Sequence, residues 1–102
     1  MGGETRLKGV MVMNKARRKD IAKLVEKIQS LQGDMELLLE ELENIKDEEQ
    51  EAFDNIPENM QNSERYELAE MAVDNLDSAY DALEEAKYAM DDIVSYLEEA
   101  AE

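Results

Sequence analysis

Residues 21–56 read IAKLVEKIQSLQGDMELLLEELENIKDEEQEAFDNI. Apolar side chains recur at alternating steps of four and three: Ile21, Leu24, Ile28, Leu31, Met35, Leu38, Leu42 and Ile45, then Glu49, Ala52 and Ile56. This seven-residue repeat keeps one stripe of a helix against a partner helix, and Glu49 is its one charged member. A second series runs Ala69, Ala72, Leu76, Ala79, Leu83, Ala86, Met90, Ile93, Leu97 and Ala100, with no polar residue in it. Gly33, inside the first series, costs a helix about 1 kcal/mol relative to alanine and marks either a bend or a close contact.

Between the two series lies Asp54-Asn55-Ile56-Pro57-Glu58-Asn59-Met60-Gln61-Asn62-Ser63. Pro57 has no backbone N–H and is excluded from a helix interior, whereas Asn55, Asn62 and Ser63 suit helix starts. The pattern therefore predicts a helix over about 15–54, a turn over about 55–62 and a helix over about 63–100. Asn55 with Glu58 offers a cap for one short extra turn. If the two series face each other antiparallel, paired residue numbers have a constant sum. Leu42 with Leu76, Met35 with Leu83, Ile28 with Met90 and Ile21 with Leu97 each give 118, and neighbouring registers move the midpoint by about two residues while leaving it near Pro57.

Charge favours the same hairpin. Residues 1–27 hold eight of the 11 bases and three acids, while residues 28–102 hold three bases and 24 acids. An antiparallel fold sets Lys15, Arg17, Arg18, Lys19, Lys23 and Lys27 beside Asp91, Asp92, Glu98, Glu99 and Glu102. Each exposed pair is worth only about 0.2–1 kcal/mol, enough to choose a topology but not to hold it. Beside the second series, Val73, Tyr80 and Val94 line one flank and Leu68, Ala82, Ala89 and Tyr96 the other; Val25, Leu39 and Phe53 add one flank to the first. Two helices cannot cover so wide an apolar face. The expected architecture is an all-α antiparallel two-helix coiled-coil hairpin that dimerises into a four-helix bundle, with Leu68, Val73, Tyr80, Val94 and Tyr96 as self-association residues.

The composition excludes most chemistry. Among 102 residues there is no His and no Cys, which removes imidazole bases, thiolate nucleophiles, zinc sites of Cys/His type and disulfides. No apolar run approaches the roughly 20 residues of a membrane span, and no signal peptide is evident, so a soluble intracellular chain is expected. Residues 1–12 follow no periodic pattern and read as a disordered or non-native leader ahead of a hairpin over 13–102. The codons available to Lys8-Gly9-Val10 include a ribosome-binding-like sequence, which makes Met13 the expected start of translation.

What remains is carboxylate. Glu70, Asp77, Glu84, Asp91 and Glu98 recur every seven residues, while Glu40, Glu41, Asp47, Glu48 and Asp54 populate the outside of the first helix. Outer coiled-coil positions are usually charged, but ordinarily with both signs interleaved. Beyond residue 27 only Lys46, Arg65 and Lys87 are basic. Twenty-one net charges along a helix of about 52 Å give about one per 2.5 Å, against one per about 1.7 Å on duplex DNA. Such a surface repels nucleic acid and attracts basic proteins. These ten acids are the candidate partner-binding residues.

Other motifs carry less. Glu-x-x-Glu occurs at Glu40/Glu43, Glu48/Glu51, Glu64/Glu67 and Glu67/Glu70, the spacing by which helical NTP pyrophosphatases hold Mg²⁺, but in so acidic a chain it arises by chance and on outer positions. Asp74–Glu85 has the length of a calcium loop, yet places Leu76 at a ligand position and Ala79 where glycine is required. No cofactor, metal or catalytic residue is assigned. The basic cluster Lys15–Lys19 is short and set against the acidic C-terminus, so direct nucleic-acid binding is disfavoured.

The segment Asp47-Glu48-Glu49-Gln50-Glu51-Ala52-Phe53-Asp54-Asn55-Ile56-Pro57-Glu58, with Gln61, Ser63, Glu64 and Asn75-Leu76-Asp77, resembles small acidic proteins encoded by phages and prophages of Gram-positive bacteria. Met13-Asn14-Lys15-Ala16-Arg17-Arg18 is similar to their N-termini, and the resemblance covers about residues 13–102. It implies a phage origin and a bacterial cytoplasmic setting. Small acidic phage proteins include anti-CRISPR and anti-restriction inhibitors. The expected function is thus a non-enzymatic inhibitor whose acidic face binds the basic surface of a host nucleic-acid-handling defence protein. The alternative is a coiled-coil assembly protein acting through its apolar seam; a Mg²⁺-dependent pyrophosphatase-like enzyme is a remote third.

Overall fold

The computed structural model describes residues 14–102, so the expected leader and translation start lie outside the described residues. Two long helices, α1 (Lys15–Asp54) and α2 (Glu64–Ala100), pack against each other, joined by a short 3-10 turn at Glu58–Met60; no strand occurs among the described residues. No helix of the described residues is long and apolar enough to cross a membrane. α1 starts where Asn14 Oδ1 accepts the Arg17 N–H at 2.8 Å. This satisfies one of the amides that a helix start leaves open.

The turn uses its residues differently from the sequence expectation. Pro57 precedes the 3-10 turn in extended conformation with no side-chain cap, so Asn55 does not cap it. Ser63 starts α2: its hydroxyl accepts the Tyr66 N–H at 3.2 Å and donates to the Met60 carbonyl at 2.6 Å.

The chain divides into two compact units. Of the described residues, one, the terminal unit, holds 14–32 together with 89–102; the other, the turn unit, is Gly33–Tyr88. In the terminal unit Val25 and Val94 are buried, with Ile21, Ile28, Gln32, Met90, Leu97 and Ala101 half-buried around them. Gln32 Nε2 donates to Asp91 Oδ1 at 2.7 Å and Arg18 Nη2 to the Glu102 carbonyl at 3.3 Å.

In the turn unit Leu39 is the buried residue. Half-buried neighbours are Met35, Leu42, Lys46, Glu49 and Phe53 on α1, with Tyr66, Ala69, Val73, Leu76, Tyr80, Leu83 and Lys87 on α2. Phe53 and Tyr66 close the seam by the turn, their rings 4.9 Å apart.

These positions correct the expected seam. Both readings share Ile21, Ile28, Met35, Leu42, Glu49 and Ile56 on α1, but the other half of the stripe is Val25, Gln32, Leu39, Lys46 and Phe53, which leaves Leu24, Leu31, Leu38, Ile45 and Ala52 exposed. On α2, Tyr80, Lys87 and Val94 enter the seam in place of Ala79, Ala86 and Ile93, which are exposed, while Val73 joins Ala72 and both are half-buried. The larger side chains of α2 remove more apolar area from water than the alanines would, at about 25 cal/mol per Å². Lys46 and Lys87 lay their methylenes along the seam and put their ammonium groups at its edge. There they meet Asp77 at 3.2 Å and Glu36 at 3.3 Å. In both of these pairs, and in Gln32 with Asp91, the residue numbers sum to 123, so the register is antiparallel and displaced from 118.

Gly33 has no neighbour within 4 Å of the place a Cβ would take. Close packing is therefore not the reason for a glycine there.

Candidate protein-binding face

The helical repeat sorts the acids of the turn unit onto two flanks of its seam. Glu70, Asp77 and Glu84 form one line on α2, each four residues beyond a seam residue, Tyr66, Val73 and Tyr80 in turn. Across the seam, Glu36 and Glu43 of α1 lie on the same flank, with Glu40, Asp47 and Asp54 in the row outside them. The contacts bear this out. Lys87 reaches back to Glu36, Lys46 reaches forward to Asp77, and one open groove is lined by Glu36, Leu39, Glu40, Glu43, Tyr80, Glu84, Lys87 and Tyr88.

Electrostatics there are one-sided. Residues 33–88 hold 19 acids and three bases, a net −16 equal to that of the whole chain, because residues 1–32 with 89–102 hold eight of each. The helical stretches of the unit are about 35 Å long, so the net charge amounts to about one per 2 Å, closer to the one per about 1.7 Å of duplex DNA than the count over residues 28–102 suggested. Two of the three bases are engaged on this flank. The Lys46 ammonium, hydrogen-bonded to Asp77 and 4.5 Å from the centre of the Tyr80 ring, is held above the ordinary lysine value, first by that hydrogen bond, against an opposing loss of hydration. Lys87 stands 5.9 Å from the Tyr88 ring. Carboxylates without cations between them keep an outward negative field, screened by salt over about 10 Å at 0.1 M.

The ten acids named from sequence do not form one site. Glu40, Asp47, Asp54, Glu70, Asp77 and Glu84 share the groove flank of the turn unit, all exposed except the half-buried Glu84. Glu41 and Glu48 are exposed in the row outside Leu38 and Ile45, on the other flank. Asp91 and Glu98 belong to the terminal unit, where Asp91 accepts from Gln32 and Glu98 lines a hollow with Arg18, Ile21, Ala22, Val25 and Ala101. Of the five self-association residues, Val94 is buried and Val73 and Tyr80 are half-buried between α1 and α2, so they pack within the chain instead of on a flank. Leu68 and Tyr96 are exposed, at 58% and 72%.

Sequence reasoning missed Glu36 and Glu43, which complete the groove. The signal was the spacing of each acid from the Leu39–Lys46 half of the seam, legible only once that half is chosen. Among the described residues no group of three or more acids converges as a metal ion would require. No family model matches this sequence, and neither does any curated protein or solved structure.

Proposed function

We propose that this chain is a non-enzymatic inhibitor of phage origin, working in the bacterial cytoplasm as a dimeric four-helix bundle. Its acidic groove flank occupies the basic, nucleic-acid-binding surface of a host defence nuclease, of CRISPR or restriction type. The single observation that carries this reading is the confinement of the whole net charge to Gly33–Tyr88. A surface selected only for solubility has no reason to concentrate its acids in one unit and balance the other. Charge at this density, held on helices, suits a site shaped for phosphates and speeds encounter with it. The resemblance of residues 47–58 to small acidic phage proteins supports the same origin.

Plasmid protection against a panel of defence nucleases tests it. Protection, together with a complex that weakens as salt rises, is the expected result. Absence of both for every nuclease removes the proposal.

A second reading, an assembly protein acting through apolar contact, draws on the exposed Leu38 and Ile45. Under it, substitution at these leucine-type positions abolishes function while charge reversal at Glu40 and Asp47 leaves it intact.

A further inference from the structure

The flank of the turn unit opposite the groove is apolar. Leu38 and Ile45 are 50% and 51% exposed on α1, and the matching line on α2 is Ala79 and Ala86, with Ala82 and Leu68 in the row outside it, all exposed. Near the turn, Ala52 of the first line and Arg65 of the second border one hollow, which puts both lines on one side. Leu39 is the turn unit's buried residue, and no described side chain falls below 2% exposure. Two helices enclose no core by themselves.

We infer that a second copy of this chain covers this flank, with Leu38 and Ile45 of one copy seated against Ala79, Ala82 and Ala86 of the other. The inference rests on the dimer proposed above and names its interface. Size fits. A flank about 33 Å long and two helices, about 18 Å, wide offers a footprint of about 600 Å² before side chains interdigitate, near the roughly 800 Å² per partner of stable interfaces. Shape fits a copy in particular. Each chain carries a large line and a small line side by side, so a two-fold partner supplies alanines where this chain has leucines, and leucines where it has alanines.

Charge selects the pairing. The row outside Leu38 and Ile45 holds Asp34, Glu41 and Glu48, whereas the α2 row holds Leu68, Asn75 and Ala82. Packing α1 on its own counterpart sets acid against acid; packing α1 on α2 of the other copy sets acid against neutral residues. Both acidic grooves then stay outside the bundle.

Sedimentation of the full chain across the micromolar range is expected to give about twice the 11.7 kDa chain mass, with the dimer strengthened by salt, opposite to binding of a basic partner. Ala82→Glu keeps a good helix former and is expected to weaken dimerisation at least about tenfold with helicity by circular dichroism unchanged. Glu84→Lys, on the groove flank, leaves the dimer intact. Because the chain has no cysteine, mixing Ile45→Cys with Ala79→Cys single variants reads the pairing directly, and a disulfide between the two is expected. Ile45→Cys cross-linking preferentially to itself, or an Ala82→Glu variant that dimerises as before, overturns the interface alone. A monomer mass at every concentration overturns the dimer and the interface together, and leaves the flank to another protein.

Discussion

The terminal and turn units share one kind of seam, a two-helix stripe with steps of three and four and hardly a fully buried side chain, yet they differ completely in charge. Residues 14–32 with 89–102 set six bases among seven acids; within Gly33–Tyr88, three bases face 19 acids. Dividing the linear sequence at residue 27 gives a +5 start and a −21 remainder, which suggests a gradient. The fold redraws it, because the acids at the end of α2 join the same unit as the bases at the start of α1. Balanced charge is thus available to this chain, and the turn unit's imbalance is a local property that solubility does not require.

Charge reversal offers the sharpest test of that contrast. Replacing Glu40, Asp47, Glu70 and Asp77 with Lys is expected to weaken partner binding at least about ten-thousandfold, four lost close pairs at about 1.5 kcal/mol each making about 6 kcal/mol. Reversing Asp91 and Glu98 in the terminal unit should change affinity less than about threefold. Calorimetric titration at fixed salt measures both, and equal losses would abolish the distinction between the units. Seam truncation comes next. Leu39→Ala is expected to cost about 2–4 kcal/mol and Val94→Ala about 1–2.5 kcal/mol, read from urea midpoints. Ser63→Ala removes the cap of α2 and should cost about 1 kcal/mol in the same assay. At the small end, Gly33→Ala meets open space and should stabilise by about 0.5–1 kcal/mol; a loss of stability there would mean the helix needs a glycine for some conformation other than this one.

Two long helices and a turn were legible because a repeat of seven sustained over five heptads has few other solutions, and because Pro57 interrupts it. Which stripe each helix buries was not legible. Ile21, Ile28, Met35, Leu42, Glu49 and Ile56 belong to either choice, and hydropathy prefers the half with Leu24, Leu31, Leu38 and Ile45. The other half wins through residues on the opposite helix: the bulk of Val73, Tyr80 and Val94, the Asp77 that receives Lys46, and the Lys87 that reaches Glu36. A pattern along one helix holds no record of the side chains across from it. The same ignorance hid Glu36 and Glu43, whose place beside Glu84 depends on the register. The line Glu70, Asp77, Glu84 needed no register, only its spacing.

The ring contact between Phe53 and Tyr66 has a kinetic consequence. It joins residues 13 apart, whereas Gln32 with Asp91 and Arg18 with Glu102 span 59 and 84. Closing the short loop costs the least chain entropy, and each layer added beyond it closes only a few residues more. Folding is therefore expected to start beside Pro57 and zip outward, with the chain ends the last to join and the first to open. Hydrogen exchange should find the slowest amides near Leu39 and Leu76 and the fastest near Lys15 and Ala100. The chain would then assemble its most strongly self-repelling part first, held by an aromatic pair, and close its electrically neutral ends afterwards.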